Sequence, residues 1–381
     1  MWWNSARRAC SGGCETVHVY LHVPFCARRC SYCDFAIAVR RETPTAAYLD
    51  AVLQEWARRR SHPAWADSPR LDSIYFGGGT PSRLPGTAIA ELVERLAADR
   101  PLAEGAELTM EANPDDVTPA AARAWRAAGI NRLSLGVQSF DDQVLHWMHR
   151  THNAAAVPAA VSAARAAGFN DISVDLIFGL PVELHRDWAA DLERALALEP
   201  EHLSLYGLTT EPRTPLARWT ARGLVRPADD GRYAAEYLAA HAALSAAGFE
   251  HYEVSNACRP GRRARHNSAY WARAPYLGLG PSAHSAAAGE RWWNLRDWTA
   301  YQRAISEGRE WVAGREAPDA ASARLEELYL GLRTLEGIAL RHVPEPTATA
   351  WVASGWAERS GGRVRLTVEG WLRLDALVAA V

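Results

Sequence analysis

The 381-residue sequence predicts an α/β fold in which a full or partial (β/α) TIM-like barrel precedes a small α+β domain of winged-helix type. Three observations lead to this prediction. Strand-like apolar segments alternate with helical segments, a helix–glycine–strand pattern recurs, and polar residues follow the strand-like segments. After about residue 300 the alternation ends and a different pattern begins, which marks the second domain.

The alternation of strands and helices begins near residue 17. The strand-like segments are 17–23, 71–79 and 106–114, and the helical segments are 46–60, 87–99 and 119–128. Strands that alternate with helices predict βαβ units and a parallel sheet.

A helix–glycine–strand pattern then occurs in ARAWRAAGINRLSLGV, VSAARAAGFNDISVDLIFGL and HAALSAAGFEHYEV, with Gly129, Gly168 and Gly248 as the glycines. LERALALEPEHLSLYGL is a fourth unit, in which Pro200 ends the helix. Six or more units in total favour a barrel over an open sheet. Functional residues of such a barrel lie at the C-terminal ends of its strands, and the candidate polar residues of this chain follow its strands.

Residues 301–381 predict the smaller domain. LEELYLGLRTLEGI predicts a helix and a turn, WAERSGGRVRLT a hairpin around Gly361 and Gly362, and GWLRLDALVAAV a last helix. We expect this domain to serve packing, because it carries no basic stripe for nucleic acid.

Composition excludes several classes of function. The formal net charge of −2 provides no field for nucleic acid, and all 42 basic residues are Arg, which excludes a P-loop lysine or a Schiff base. Residues 1–16 predict a disordered extension without a signal peptide, and no apolar run reaches 18 residues. We therefore expect a cytoplasmic protein with at most peripheral membrane contact, whose six cysteines serve a metal or catalysis.

Three of those cysteines, Cys26, Cys30 and Cys33, form the pattern C-x3-C-x2-C in PFCARRCSYCDF. A structural zinc site would need a fourth ligand, to which Cys10 and Cys14 could contribute. A redox dithiol would use the C-x-x-C of Cys30 and Cys33. A 4Fe–4S cluster on three thiolates would leave one iron open for chemistry, and the spacing with an aromatic before the third cysteine favours it.

The segment YLHVPFCARRCSYCDF resembles the radical S-adenosylmethionine (SAM) superfamily, and within it the oxygen-independent coproporphyrinogen III oxidase-like group. The resemblance runs from about Val17 into the C-terminal domain, through FGGGTPS, EANPDD, RLSLGVQSF, DLIFGLP, HYEVSN, RHNSAYW and GLGPSAHS. It implies a radical SAM barrel over 17–300 and a C-terminal domain of that oxidase's type over 301–381. It also implies that SAM chelates the open iron and is cleaved reductively to methionine and a 5′-deoxyadenosyl radical.

The same resemblance implies a set of SAM contacts. A glycine run after the second strand would let a ligand approach the main chain closely, and a carboxylate at the third strand end suits an ammonium or a ribose hydroxyl. The implied contacts are Tyr20, Tyr32, Gly78, Gly79, Thr80, Glu111, Gln138, Arg150 and Asp175. For Arg150 and Asp175, a structural ion pair or a second SAM are alternatives.

Two features distinguish members of this group. The oxidase continues its motif to a fourth cysteine, where this chain has Phe35, and this chain carries H-N-x-x-Y-W as His266, Asn267, Tyr270 and Trp271. Both resemble the heme-chaperone sister group, which implies heme binding and delivery to an apo-hemoprotein without oxidase activity. The alternative is an oxidase that decarboxylates coproporphyrinogen III propionates, so enzymatic activity stays open.

The predicted heme-binding segment is 259–285. His266 is the candidate axial ligand, Tyr270 and Trp271 could cover a porphyrin face, and nearby arginines could meet the propionates. These arginines are Arg259, Arg262, Arg263 and Arg265. His284 is a second candidate histidine, Cys258 is expected to be an inert thiol, and a homodimer is compatible with the sequence.

Overall fold

The computed structural model describes residues 16–65 and 68–381. The predicted disordered extension, with Cys10 and Cys14, lies outside the described residues except for Thr16. The strands are β1 Thr16–Val23, β2 Phe25–Cys26, β3 Ala38–Val39, β4 Arg70–Gly78, β5 Leu102–Ala112, β6 Arg132–Gln138, β7 Ile172–Phe178, β8 His202–Gly207, β9 Glu250–Glu253, β10 Asn256–Cys258, β11 Tyr276–Leu279, β12 His284–Ala287, β13 Glu290–Asn294, β14 Val312–Glu316, β15 Ile338–Ala339, β16 Ala357–Ser360 and β17 Arg363–Leu366.

The three helices predicted at 46–60, 87–99 and 119–128 are confirmed, each with its ends within one residue of the prediction. The helices are α1 Thr45–Arg59, α2 Gly86–Asp99, α3 Pro119–Ala127, α4 Asp142–Trp147, α5 Ala156–Ala166, α6 Trp188–Leu196, α7 Pro215–Ala221, α8 Asp230–Ala246, α9 Arg265–Trp271, α10 Trp298–Ser306, α11 Ala320–Leu332, α12 Glu345–Ala353, α13 Val368–Trp371 and α14 Leu374–Ala379. No helix in the described part of the chain is both long enough and apolar enough to cross a bilayer.

The chain forms two compact units. The first comprises residues up to 137 together with 145–172 and 274–317, and the second comprises 138–144, 173–273 and 318–381. Together they make an α/β fold rich in parallel strands, as the sequence predicts.

In the first unit the strands lie in the order β14-β13-β12-β11-β1-β4-β5-β6. From β11 to β6 the neighbours are parallel, whereas β12, β13 and β14 extend the sheet in antiparallel fashion. β1 is central, and its alternate residues Val17, Val19, Leu21 and Val23 are all buried in the core. The alternation of this strand therefore directs His18, Tyr20 and His22 to its other face.

The meander from β11 to β14 was not predicted from the sequence. Its strands have only four or five residues, and β11 joins the sheet by parallel pairing with β1, for example Leu279 with Leu21. Local sequence patterns do not predict that β11 pairs with a strand so distant along the chain.

A buried carboxylate ties this meander to α1. Glu55 is fully buried and accepts hydrogen bonds from Gly280 N (2.8 Å), Asn294 Nδ2 (2.7 Å), Tyr301 Oη (2.6 Å) and Trp311 Nε1 (2.9 Å). Burial raises the pKa of Glu55, and these four donors oppose that rise. The carboxylate is thus fully satisfied inside the core.

The second unit contains the order β7-β8-β10-β9. β7 and β8 are parallel, but β10 is antiparallel to β8 and to β9. The helix–glycine–strand segment at Gly248 is present as α8 and β9, and β9 runs in the same direction as β8, but the antiparallel strand β10 lies between them. Only Val254 and Ser255 separate β9 from β10, and a connection this short permits only a hairpin.

The C-terminal elements confirm the predicted hairpin, and they divide the predicted last helix in two. β16 and β17 pair through Ser360 and Arg363 around Gly361 and Gly362, and β15 adds a third strand. The predicted helix GWLRLDALVAAV contains the end of α13 and then α14. Residues 318–381 belong to the same compact unit as 173–273, and the buried Glu253 carboxylate accepts from Arg333 at 2.7 Å.

Candidate functional site

The three cysteines of the first unit lie on one loop after β1. β2 and β3 close this loop by pairing Phe25 with Ala38 and Cys26 with Val39. The Ser31 amide donates to Met148 O (3.1 Å), which holds the middle of the loop against the chain near α4. All three cysteines are free thiols, Cys26 buried and the other two half-buried.

Polar donors approach two of the three sulfurs. Thr80 Oγ1 donates to Cys26 Sγ at 3.3 Å, and Arg150 Nη1 donates to Cys30 Sγ at 3.5 Å. Burial raises the pKa of Cys26, and it raises the pKa of Cys33 to about 11. Without a cation, Cys26 and Cys33 therefore stay protonated at neutral pH, and ligation of a metal would replace their protons.

The three thiols do not form a preformed site for a single ion. Within residues 16–65 and 68–381, no three His, Cys, Asp or Glu side chains converge on one point as ligands of a lone ion would. In a 4Fe–4S cluster each thiolate binds a different iron, so the sulfurs of a cluster site lie apart from one another. Three free thiols on one loop, two with donors directed at sulfur, fit that arrangement.

The glycine run after β4, here called the glycine cradle, is packed so closely by neighbouring residues that no Cβ atom fits on it. A Cβ on Gly77 would lie 2.8 Å from both Tyr20 and Tyr75, and a Cβ on Gly78 would lie 2.6 Å from His22 Cε1. Gly78 has a φ of 111°, which side chains of L residues rarely adopt. A Cβ on Gly79 would lie 2.7 Å from the main chain of Pro24.

The carboxylate at the end of β5 is bound to this cradle. Glu111 Oε2 accepts from Gly78 N (3.1 Å), and Glu111 Oε1 accepts from Tyr75 Oη (2.9 Å). Tyr20 stacks on Tyr75 with ring centroids 6.0 Å apart. The structure thus brings together Tyr20, the glycines and Glu111, which the sequence analysis predicts as SAM contacts.

His22 is a residue of this group that the sequence analysis missed. Its Nε2 donates to Ala36 O (2.9 Å), so its Nδ1 accepts from Tyr20 Oη (3.2 Å). Burial lowers the pKa of His22 to about 4, so the ring is neutral and its tautomer is fixed. The alternation of β1 could have identified it, since His22 lies two residues from Tyr20 on the same face.

Arg150 joins the thiol loop to EANPDD. Its Nη2 donates to Asn113 Oδ1 (2.7 Å) and to Gly136 O (2.6 Å), while Nη1 reaches Cys30 as described. Arg150 Nε is buried and has no hydrogen-bond partner. Asn113, which the sequence analysis did not single out, therefore positions the guanidinium beside the sulfur. Tyr32, on the same loop, is half-buried, and burial raises its pKa.

Gln138 and Asp175 belong to the second unit, so their grouping with the thiol loop stays a prediction. Gln138 has a φ of 68°, and its buried Oε1 has no hydrogen-bond partner. Asp175 on β7 lies opposite Ser204 on β8, and Ser173 lies opposite His202.

A chain of hydrogen bonds leads from Asp175 to the start of α9. Its links are Asp175 Oδ1 to Ser173 Oγ (3.3 Å), Ser173 Oγ to His202 Nδ1 (2.8 Å), His202 Nε2 to Tyr252 Oη (2.9 Å) and Tyr252 Oη to Ala264 N (3.3 Å). An amide can only donate and a carboxylate can only accept, so every link donates toward Asp175. Ala264 directly precedes α9, the helix that carries His266.

His266, the candidate heme ligand, is 1% exposed, and its Nε2 lies 2.7 Å from Tyr270 Oη. Two of the predicted propionate partners form hydrogen bonds within the protein. Arg263 already pairs with Glu250 (2.7 Å) and Glu336 (2.6 Å), and Arg259 donates to Ala247 O (2.7 Å). Arg262 is exposed and Arg265 is half-buried.

The remaining members of the segment lie in two different units. Trp271 stacks under the Arg333 guanidinium at 3.9 Å in the second unit. His284, in the first unit, is exposed and stacks on Trp293 with ring centroids 5.7 Å apart. Cys258 is buried in β10, in keeping with an inert thiol.

The chain is similar to known proteins in sequence and in fold. Residues 20–195 match the model of the Radical SAM superfamily. The chain is 38% identical to "Heme chaperone HemW" of Mycobacterium tuberculosis over 94% of this chain and 93% of the relative. It is 36% identical to "Heme chaperone HemW" of Synechocystis sp. over 87% and 81%. It is also 35% identical to "Radical S-adenosyl methionine domain-containing protein 1, mitochondrial" of Bos taurus over 95% and 83%.

Among solved structures the fold is similar to that of coproporphyrinogen III oxidase (HemN) from Escherichia coli. The TM-score is 0.79 at 21% identity, over 96% of this chain and 89% of that chain.

Proposed function

The chain belongs to the radical SAM superfamily and to its HemW group of heme chaperones, and from this premise we propose that it binds heme and delivers it to an apo-hemoprotein. The observation that carries the proposal is the 38% identity to a HemW over nearly the whole chain. Phe35 in place of a fourth cysteine supports it. We propose further that the acceptor is a hemoprotein, that the protein is cytoplasmic and that it forms a homodimer. We propose no nucleic acid as a partner.

The family implies a 4Fe–4S cluster and SAM, and we propose Cys26, Cys30 and Cys33 as the thiolate ligands. When bound, such a cluster supplies the electron for reductive cleavage of SAM. Thr80 and Arg150 would then donate to ligating sulfurs, which stabilises the extra electron density on them. Both donors are already directed at sulfur in this chain.

The chain's own residues would hold SAM through the glycine cradle. Gly77–Gly79 have no space for side chains because the protein's own residues pack directly against them, and beside this run Glu111 offers a carboxylate that two donors already orient. Tyr20, Tyr32, Arg150, Gln138 and Asp175 complete the proposed contacts. His22, neutral and fixed, would position Tyr20 and close the cradle behind Gly78.

The cluster is tested by anaerobic reconstitution. We expect about four irons and four sulfides per chain, with brown absorbance. Replacing any of Cys26, Cys30 or Cys33 by Ala abolishes that absorbance, whereas the control Cys258→Ala retains it. Tight zinc without brown absorbance in the wild-type protein would contradict the ligand set.

The heme site is tested with two variants of one helix. If His266 Nε2 is the axial ligand, its bond to Tyr270 competes with heme, and Tyr270→Phe should tighten binding about fivefold by removing a bond of about 1 kcal/mol. His266→Ala should shift the Soret band or release heme, while the control His284→Ala should do neither. If the protein binds heme and His266→Ala changes neither the Soret band nor heme retention, His266 is not the axial ligand. If the wild-type protein takes up no heme, the proposed function is wrong.

The second candidate function is coproporphyrinogen III oxidation, which the fold shared with HemN favours. Reduced, cluster-loaded protein with SAM and coproporphyrinogen III should yield no protoporphyrinogen IX, because Phe35 stands where the oxidase has a cysteine. Sustained formation of product under anaerobic conditions would favour the oxidase.

A further inference from the structure

Gln138 is the last residue of β6, and its backbone is left-handed, with a φ of 68°. Eight non-glycine residues in the described part of the chain have a φ of this kind, and Gln138 is the one that lies in a strand. This conformation is unfavourable for a residue with a side chain, and it persists where the surroundings impose it. The side-chain Oε1 of Gln138 is buried and has no hydrogen-bond partner in the protein. It is therefore suited to accept from an N–H or O–H group of a ligand.

Two residues of α6 hold the main chain directly after Gln138. Asp191 accepts from Ser139 Oγ and from Phe140 N, each at 2.8 Å, and both Asp191 and Ser139 are buried. Arg194 Nη1 donates to Phe140 O (2.7 Å), and its guanidinium lies over the Phe140 ring at 5.4 Å. Asp191 and Arg194 are three residues apart and thus on one face of the helix. Together they fix both polar groups of the Phe140 main chain, immediately after the strained residue.

The carboxylate of Asp191 is itself held by a buried network. Arg186 Nη1 donates to Asp191 Oδ2 (3.4 Å) and to Ile177 O (3.0 Å). Arg186 Nη2 donates to Glu236 Oε2 (2.6 Å), which also accepts from Gly179 N (2.8 Å). Ile177 and Gly179 lie at the end of β7, so the network joins α6 to the ends of β6 and β7. Asp191 is therefore fixed in one orientation by groups that make no contact with Gln138.

We propose that Asp191 and Arg194 are positioning residues for SAM binding, which act by holding Gln138 in its left-handed conformation with Oε1 available to a donor group of SAM. The inference rests on the proposed function, in which Gln138 contacts SAM. SAM carries suitable donors in its ribose hydroxyls and amino groups. Gln138, Asp191 and Arg194 all belong to the second compact unit. Neither α6 residue needs to touch the ligand, because each acts through the main chain after Gln138.

The test measures the SAM affinity of full-length, cluster-loaded protein by anaerobic equilibrium dialysis. Gln138→Ala removes the acceptor and should weaken SAM binding about fivefold to tenfold. Asp191→Ala and Arg194→Ala should each weaken it by no more than that factor, because they act through Gln138. The control Asp187→Ala removes the N-terminal cap of the same helix, where Asp187 accepts from Ala190 N (3.0 Å). It should lower the Tm without changing SAM affinity.

Combination with Gln138→Ala separates positioning from general destabilisation. If Asp191 acts through Gln138, Asp191→Ala should cause no further loss of SAM affinity in the Gln138→Ala background, although it should lower the Tm there as it does in wild type. Arg194→Ala should behave in the same way. Asp191→Ala leaves the buried Arg186 without one of its carboxylates and could prevent folding. Arg194 is exposed, so its variant tests the inference in that case as well.

Three results would overturn the inference. The first is a further loss of SAM affinity in the double variants, since Asp191 and Arg194 would then act on stability in general. The second is unchanged SAM affinity in Arg194→Ala and in folded Asp191→Ala. The third is unchanged SAM affinity in Gln138→Ala, or no SAM binding by wild type, which would also contradict the proposed SAM contacts. Failure of the proposed heme function is a separate result, because wild-type protein that binds SAM but takes up no heme would contradict that function alone.

Discussion

Replacement of Gly78 by Ala tests the cradle most directly. The φ of 111° imposes strain of about 1–3 kcal/mol on an L residue. The added Cβ would also lie 2.6 Å from His22 Cε1. His22 is held by hydrogen bonds to Ala36 O and Tyr20 Oη, one at each ring nitrogen. The ring can move away from the added Cβ only by losing one or both of these bonds, each worth about 1 kcal/mol.

These terms predict a loss of about 2–5 kcal/mol in the free energy of unfolding for Gly78→Ala. The matched control is Gly105→Ala, because Gly105 also has a positive φ, 65°, but a Cβ there meets nothing within 4 Å. That control should lose only about 1–2 kcal/mol. Unfolding in urea, followed by tryptophan fluorescence, measures both.

SAM binding provides the functional part of the same experiment. Because the Gly78 amide donates to Glu111, a shifted Gly78 would also misplace the carboxylate. We expect cluster-loaded Gly78→Ala to bind SAM at least about tenfold more weakly, a difference of 1.4 kcal/mol, and Gly105→Ala to bind it normally. If the two variants match in stability and in SAM affinity, the cradle argument is refuted.

Two further predictions concern buried titratable groups. Tyr301→Phe removes one donor from Glu55 and should lower the free energy of unfolding by about 1.5–3 kcal/mol. Tyr48→Phe should lower it by only about 0.5–1.5 kcal/mol, because the Tyr48 hydroxyl donates to an uncharged acceptor, the main-chain carbonyl of His22. That gap should widen as the pH rises through the pKa of folded Glu55, which burial raises above the ordinary glutamate value, since the ionised carboxylate gains more from the donor than the protonated form does; a pH-independent gap would contradict this. Burial lowers the pKa of His251, which packs on His241 and Trp371, to about 3. The folded state thus favours its neutral form, and this stability is lost as the pH falls below the unfolded value of about 6.5, by about 2 kcal/mol at pH 5. His251→Asn should reduce the loss of stability between pH 7.5 and 5 by that amount, and an unchanged loss would show that other groups carry it.

The parts of the site that could be predicted are those in which local sequence carries the chemistry. Cys26, Cys30 and Cys33 share one loop because they share one short segment, and the cradle follows from three successive glycines. Glu111 was predicted at a strand end, and there the structure joins it to Gly78. Local order along the chain was sufficient for each of these.

The remainder depends on pairings between distant segments. β11 joins β1 across most of the chain, and the donors of Glu55 are the residue after β11, one in β13, one in α10 and one that precedes β14. The sequence identifies His266 and Tyr270, but not that they bond each other in a buried position. The sequence also does not predict that Arg263 forms ion pairs with two carboxylates.

The position of β1 has a consequence for the order of assembly during synthesis. Gly280, which directly follows its neighbour β11 and donates to Glu55, lies 225 residues after that glutamate along the chain. At about 5–20 residues per second, a ribosome needs roughly 10–45 s to make them. During that time one edge of β1, the strand that leads into the cysteine loop, has no partner and could pair with another chain. We therefore expect the nascent first unit to depend on protection of that edge, and the cysteine loop to reach its final form only after the segment from 274 to 317 has emerged.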